Sequence, residues 1–161
     1  ATVRATLRVA SGSPIEQIQK AAQALEPDLD RSESFVTLVQ AQLDPAGRHL
    51  TYVDAGHGNG FFLTSDGALT PLVSGGIPLC GFQVEGYQAS HFTFAPGDAF
   101  VLYSDGVPDA RPDLDLTPPA LATYLQGMDS AAAMVERLVS LTATDQPPVD
   151  DVTVLVLRCL T

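Results

Sequence analysis

An α+β domain built on antiparallel sheets is the fold class this sequence predicts. Three observations carry that reading. The elements run in the order two helices, about six strands, two helices, one strand, so helices and strands are segregated along the chain. Adjacent strands are joined by short turns, "DPAGR" and Asp66-Gly67 among them, and such turns connect antiparallel neighbours. Hydrophobic residues make up 45% of the 161, enough for a core, and charged residues only 17%, which argues against disorder.

Element by element, "ATVRATLRVA" places Val3 and Leu7 four apart, as on one helical face. It has no capping residue at its start and reads as the tail of a helix that begins upstream. "SGSPIEQIQKAAQAL" is a second helix. Ser13 caps it, Pro14 suits its first position and Glu16 completes a capping box. Ile15, Ile18, Ala22 and Leu25 form its buried stripe, Pro27 is expected to end it, and an acidic loop to follow through Glu33.

Strands come next. "FVTLVQAQL" and "HLTYVDAG" make a hairpin across "DPAGR". "FFLTS" and "ALTPLV" flank Asp66-Gly67, a plain hairpin turn. "SGGIPLCGF" is a loop, and "YQASHFTF" and "AFVLYS" are strands separated by "APGD". "PALATYLQG" and "SAAAMVERLVSLTA" are helices, the second with Ala133, Met134, Arg137, Leu138 and Leu141 at helical spacings. After the loop "TDQPPVDD", the run "VTVLVLRCL" is almost continuously apolar and is expected to be a central strand.

The formal net charge of −11 is unevenly spread. Residues 1–50 carry five Lys/Arg against six acids, and residues 51–161 carry three against thirteen. Such a chain repels nucleic acid and anionic membrane, and its acids are suited to gathering cations or simply to solubility. No apolar run approaches the roughly 20 residues of a membrane span, and Arg4 and Arg8 interrupt anything like a signal peptide. A cytoplasmic location is the expectation. Ala1 is not an initiator methionine, so the chain is expected to be cut from something longer. Cys80 and Cys159 show no metal spacing. Two reduced thiols are the default, and a disulfide between them stays open.

The chemistry concentrates in aspartates at strand ends. Asp105 follows "AFVLYS", and Asp150-Asp151 precede "VTVLVLRCL". If those strands are antiparallel neighbours, the end of one lies beside the start of the other, and the carboxylates converge at one sheet edge. Mg²⁺ and Mn²⁺ take such oxygen ligands. The plainer alternative makes Asp105 a turn residue and Asp150-Asp151 a solvated lead-in to a strand. "DAGHGNG" sets His57 between glycines, which fits either a close approach to a ligand or a tight turn at positive φ. His49 and His91 read as packing residues in strands. The Gly-Gly of "SGGIPLCG" is a weak candidate for an anion cradle, and no Ser or Cys has a base at telling spacing.

In order, "FVTLVQAQLDPAGRHLTYVDAGHGNGFFL", "SGGIPLCGF", "FAPGDAFVLYSDGVPDAR" and "VDDVTVLVLR" resemble the bacterial metal-dependent (PPM) protein phosphatases of the sporulation stage II protein E (SpoIIE) and stress-regulator type, over nearly all 161 residues. The resemblance implies a pair of packed antiparallel β-sheets flanked by helices. It implies removal of phosphate from phosphoserine or phosphothreonine, often on anti-sigma-factor antagonists in bacterial signalling. Two Mn²⁺ or Mg²⁺ ions and a bridging water are used, with no phosphoenzyme. Asp105 matches the metal-binding Asp of the family's "TDG" motif, Asp150 that of "DD(I/V)T", and Asp151 is its neighbour. Gly56 and His57 fall in the "AGH" segment, without an implied catalytic role.

The departures are as informative. The family's first metal motif, an Asp followed by "xxGHG" or "xxGKG", supplies the carboxylate that bridges both ions. It precedes the first helix, and this chain opens with "ATVRATLR" instead. "GHG" at Gly56–Gly58 is no substitute, because Val53 stands where the Asp would be. Cys80 stands where the family usually has Gly. The resemblance therefore implies a phosphatase domain over residues 1–161 whose N-terminal strands and bridging carboxylate lie upstream of Ala1. Alone, it is expected to hold at best one loosely bound cation and to show little activity. A sheet edge left unpaired is expected to invite a homodimer. The alternative is a catalytically inactive pseudophosphatase that binds a regulatory partner.

Overall fold

The computed structural model describes residues 2–79, 86–144 and 150–160. In chain order the elements are α1 (Thr2–Val9), α2 (Pro14–Ser32), β1 (Leu38–Asp44), β2 (His49–Ala55), β3 (Gly60–Leu63), β4 (Leu69–Pro71), β5 (Ser90–Thr93) and β6 (Ala99–Tyr103). Then follow α3 (Gly106–Ala110), α4 (Pro118–Leu125), α5 (Ala131–Leu141) and β7 (Val154–Arg158). Both sheets are antiparallel and flanked by helices, as the order of elements predicts. The chain divides into two compact units, one of residues 1–58 and 73–93, the other of residues 59–72 and 94–161.

The first unit holds α1, α2 and a sheet of order β1-β2-β5. The capping box is in place: Glu16 N–H donates to Ser13 Oγ (3.4 Å), and Ser13 N–H donates to Glu16 Oε2 (2.7 Å). The Ser13 N–H, with the Ser13 hydroxyl also donating to Glu16 Oε2 (3.0 Å), holds the Glu16 carboxyl below its usual range. Ile18, Ala22 and Leu25 are buried as expected, with Val53 and Ala55 of β2 in the same core. Pro27 does not end α2. The helix continues to Ser32, and Glu33 closes it in the left-handed region (φ 47°). Pro27 removes one helical hydrogen bond on an exposed face, and the extra turn buries Leu29, which offsets that loss.

The β1–β2 hairpin pairs Asp44 with His49 across the predicted turn. His49 and His91 are exposed, and each hydrogen-bonds the threonine directly across from it. His49 Nδ1 lies 2.9 Å from Thr93 Oγ1, and His91 Nδ1 lies 3.0 Å from Thr51 Oγ1. Their role is to pair β2 with β5.

The second unit holds a sheet of order β4-β3-β6-β7 with α3, α4 and α5. Phe61, Val101, Leu121 and Leu138 are fully buried in its core. Asp66-Gly67 turns the β3–β4 hairpin, with Gly67 at φ 90°. The Asp66 side chain accepts from the Thr64 hydroxyl and from Ala68 N–H, which lowers its pKa. The central position expected for β7 is not found: among the described residues it pairs with β6 alone, at the sheet edge. Its apolar run misleads because only one face packs. Val154 and Val156 lie against the core, while Leu155 is 52% exposed.

Candidate metal site at the β6–β7 end

The register answers the sequence's central question. Tyr103 pairs with Val154, so the residues after β6 lie beside the residues before β7. Ser104 fastens the two segments. Its N–H donates to Thr153 O (2.9 Å), its hydroxyl donates to Asp151 O (2.8 Å), and Thr153 N–H donates back to Ser104 Oγ (2.9 Å). Gly106 brings α3 onto the same segment. A Cβ there would lie 2.4 Å from Asp151 O and 2.9 Å from Asp151 C. Tyr103, beneath this end, has its hydroxyl pushed up to about 12 by burial.

Asp105 turns no hairpin. It caps α3, a short helix that the sequence reading lacked, by accepting from Gly106 N–H (3.1 Å). The Asp150 side chain accepts from Asp151 N–H (2.7 Å). Asp105, Asp150 and Asp151 are all exposed. Their oxygens are hard donors turned to solvent, and that chemistry fits Mg²⁺ or Mn²⁺. The number of donors fits less well: among the described residues no group of three His, Cys, Asp or Glu is placed to hold a metal ion. The strand ends meet as predicted, then, but among the described residues the carboxylates there form no three-ligand group.

Replacing Ser104 by Ala would leave the Thr153 N–H without its acceptor. We expect a loss of about 1–2 kcal/mol in urea denaturation, with Ser104→Thr retaining most of it.

The other candidates resolve into structure. In "DAGHGNG" the residue that sequence reasoning missed is Asp54. It is 0% exposed, and its carboxylate accepts from His57 N–H (2.7 Å) and Gly58 N–H (2.8 Å). Gly56 and Gly58 sit at φ 74° and 73°, so this is the tight turn at positive φ, organised from beneath by a buried acid. The signal was an Asp three and four residues before those amides. Gly75 and Gly76 of "SGGIPLCG" serve close packing: a Cβ at Gly75 would meet Gln88 O at 2.2 Å, and one at Gly76 would meet the Tyr87 ring at 2.4 Å. Cys80 lies outside the described residues. Cys159 sits in the strand-end backbone, donating its N–H to Asp98 O (2.9 Å).

Residues 1–160 match the family described as Stage II sporulation protein E (SpoIIE). The chain belongs to the SpoIIE family. It is 29% identical over 151 residues to phosphoserine phosphatase RsbU of Bacillus subtilis (strain 168), a match covering 90% of this chain and 45% of RsbU. The chain thus spans less than half the length of that relative. Its fold is similar to the PP2C phosphatase domain of SpoIIE from Bacillus subtilis, solved with a fragment of its regulatory domain. There the TM-score is 0.77 at 16% identity, covering 98% of this chain and 48% of that one. It is also similar to the catalytic domain of the serine/threonine protein phosphatase PstP, solved in complex with two manganese ions. That TM-score is 0.73 at 18% identity, covering 99% of this chain and 80% of that one. SpoIIE-family membership and the α+β fold with antiparallel sheets are therefore established together.

Proposed function

We propose that this chain is part of a metal-dependent phosphoserine/phosphothreonine protein phosphatase in bacterial signalling. Its substrate would be a phosphorylated regulator of the anti-sigma-factor antagonist class. The observation that supports this best is the β6–β7 register, which sets Asp105 and Asp150, the residues that match the family's metal motifs, at one end of one sheet. In this reading Asp105 and Asp150 hold Mn²⁺ or Mg²⁺, with Asp151 beside them. Divalent ions in such a site activate water and offset charge on a phosphoryl group. The chain's own contribution is positional: Ser104 and Gly106 hold the two ligand-bearing segments together.

We read residues 1–161 as one domain whose remaining strands and bridging carboxylate are encoded upstream of Ala1. Among the described residues the outer edge of β7 has no paired strand, and an added strand would dock there, from that segment or from a second copy in a homodimer. No described helix is long and apolar enough to cross a membrane.

A phosphopeptide assay with Mn²⁺ tests the reading. Little turnover is expected from the 161-residue chain, and clear turnover once the upstream segment is restored. Robust turnover by the short chain would refute the missing-ligand part. A second reading, a binding module without catalysis, draws on the absence of a three-ligand group among the described residues. It predicts no turnover from either form.

A further inference from the structure

We propose that the second unit carries a binding site for a small organic carboxylate with an apolar tail, centred on Arg158 and separate from the metal-binding end. Arg158 ends β7 and pairs with Ala99, the first residue of β6, whereas Asp105 lies two residues beyond Tyr103, the last. At about 3.3 Å per residue, that places the two features roughly 15 Å apart along the sheet.

Arg158 lines a cleft of about 470 Å³ between the β3–β4 turn, the Gly97 turn and the α4–α5 loop. One side of its guanidinium is fixed, with Nη1 donating to Met128 O. The other side belongs to the cleft lining. Nη2 lies 3.7 Å from where a Cβ on Gly97 (φ 90°) would stand, a point that Ser65 Cβ already approaches to 2.9 Å, so the backbone there passes close to the guanidinium without a side chain. Arg158 is half-buried, and among the described residues it forms no ion pair, although the chain has nineteen acids to eight Lys/Arg. A partly desolvated cation is ordinarily paired. A guanidinium with a planar donor edge exposed to a cleft matches a carboxylate in shape and charge.

The walls specify the remainder of the ligand. Leu63, Leu125 and Met134 line the cleft from within the core and are almost wholly buried, so the half-buried Met128 is the main apolar surface they leave beside the charge. Asp66 and Asp129 also line it, and both are exposed. Asp66 is already engaged by Thr64 and Ala68. These solvated rim charges are screened more than Arg158 is, yet they disfavour a dianion. A monocarboxylate with an alkyl tail satisfies both constraints.

Met128 and Met134 are the chain's two methionines, and both line this cleft. Methyl-labelled methionine NMR of the whole 161-residue chain therefore reports on this site. Acetate, butanoate and hexanoate should shift both methyl signals saturably. Hexanoate should bind about tenfold tighter than acetate, the gain from burying about two of its four added CH₂ groups in an open cleft. Arg158→Gln should weaken hexanoate binding at least about tenfold, with Arg158→Lys intermediate. Asp129→Asn, which leaves the Arg158–Met128 bond intact, should tighten it about twofold. Equal shifts from hexylammonium, hexanoate affinity unchanged in Arg158→Gln, weaker binding in Asp129→Asn, or no saturable shift up to about 50 mM would each overturn the proposal.

Discussion

Replacing Asp105 by Ala is expected to abolish phosphatase activity in a protein that includes the upstream segment, with only a small change in stability. The expected fall in kcat/KM is at least about a hundredfold, the scale on which removal of one group that stabilises the transition state is felt. Stability should fall by only about 1 kcal/mol, because the Asp105 side chain is exposed and its one hydrogen bond is the cap on α3. That split separates a ligand from a structural acid. Asp54 is the contrast. Buried, and accepting two backbone N–H groups, it should cost several times more stability when replaced by Ala. Phosphopeptide kinetics and urea denaturation on the same samples read both quantities. A large stability loss in Asp105→Ala would make Asp105 a structural residue instead.

Gly106→Ala is expected to be among the most destabilising single methyl additions in the chain. The new Cβ would lie 2.4 Å from Asp151 O and 2.9 Å from Asp151 C, and both atoms are backbone. No flexible side chain can move aside. Either α3 must lift or the Ser104–Thr153 bonds must stretch, and both disturb the segments that carry Asp105 and Asp150. We expect a loss of about 3 kcal/mol in urea denaturation, with metal affinity falling alongside. Gly127→Ala is the control. Gly127 is at φ 76° with nothing within 4 Å of the added Cβ, so it should show backbone strain alone, about 1 kcal/mol. Equal losses in the two variants would mean that close packing at residue 106 is unimportant.

Much of this arrangement was legible in the sequence, and the failures share a cause. Turns and caps could be read because they depend on local chemistry. Ser13 and Glu16 reach each other through three residues, and Asp66-Gly67 carries its own positive φ. The meeting of the β6 and β7 ends could be inferred because two apolar strands, each with an aspartate at its rim, pair naturally in antiparallel register. What could not be read was set by tertiary context. Pro27 looks like a stop until Leu29 is seen to be buried. β7 looks central because its residues are apolar, but hydrogen-bond partners rather than composition decide which strand is an edge. α3 is too short for a periodic signal and is visible only once Asp105 caps it. Asp54 hid in plain view, since a buried carboxylate and an exposed one are the same letter.

We propose that Asp105 and Asp150 are part of a metal site whose remaining ligands lie elsewhere in the protein. Titrating the 161-residue chain with Mn²⁺, followed by electron paramagnetic resonance, tests it most directly. At most one ion per chain is expected, held with a Kd on the order of 10⁻⁴ M or weaker and lost in Asp105→Ala. Two tightly held ions, or binding that survives in the Asp105→Ala/Asp150→Ala double variant, would contradict it.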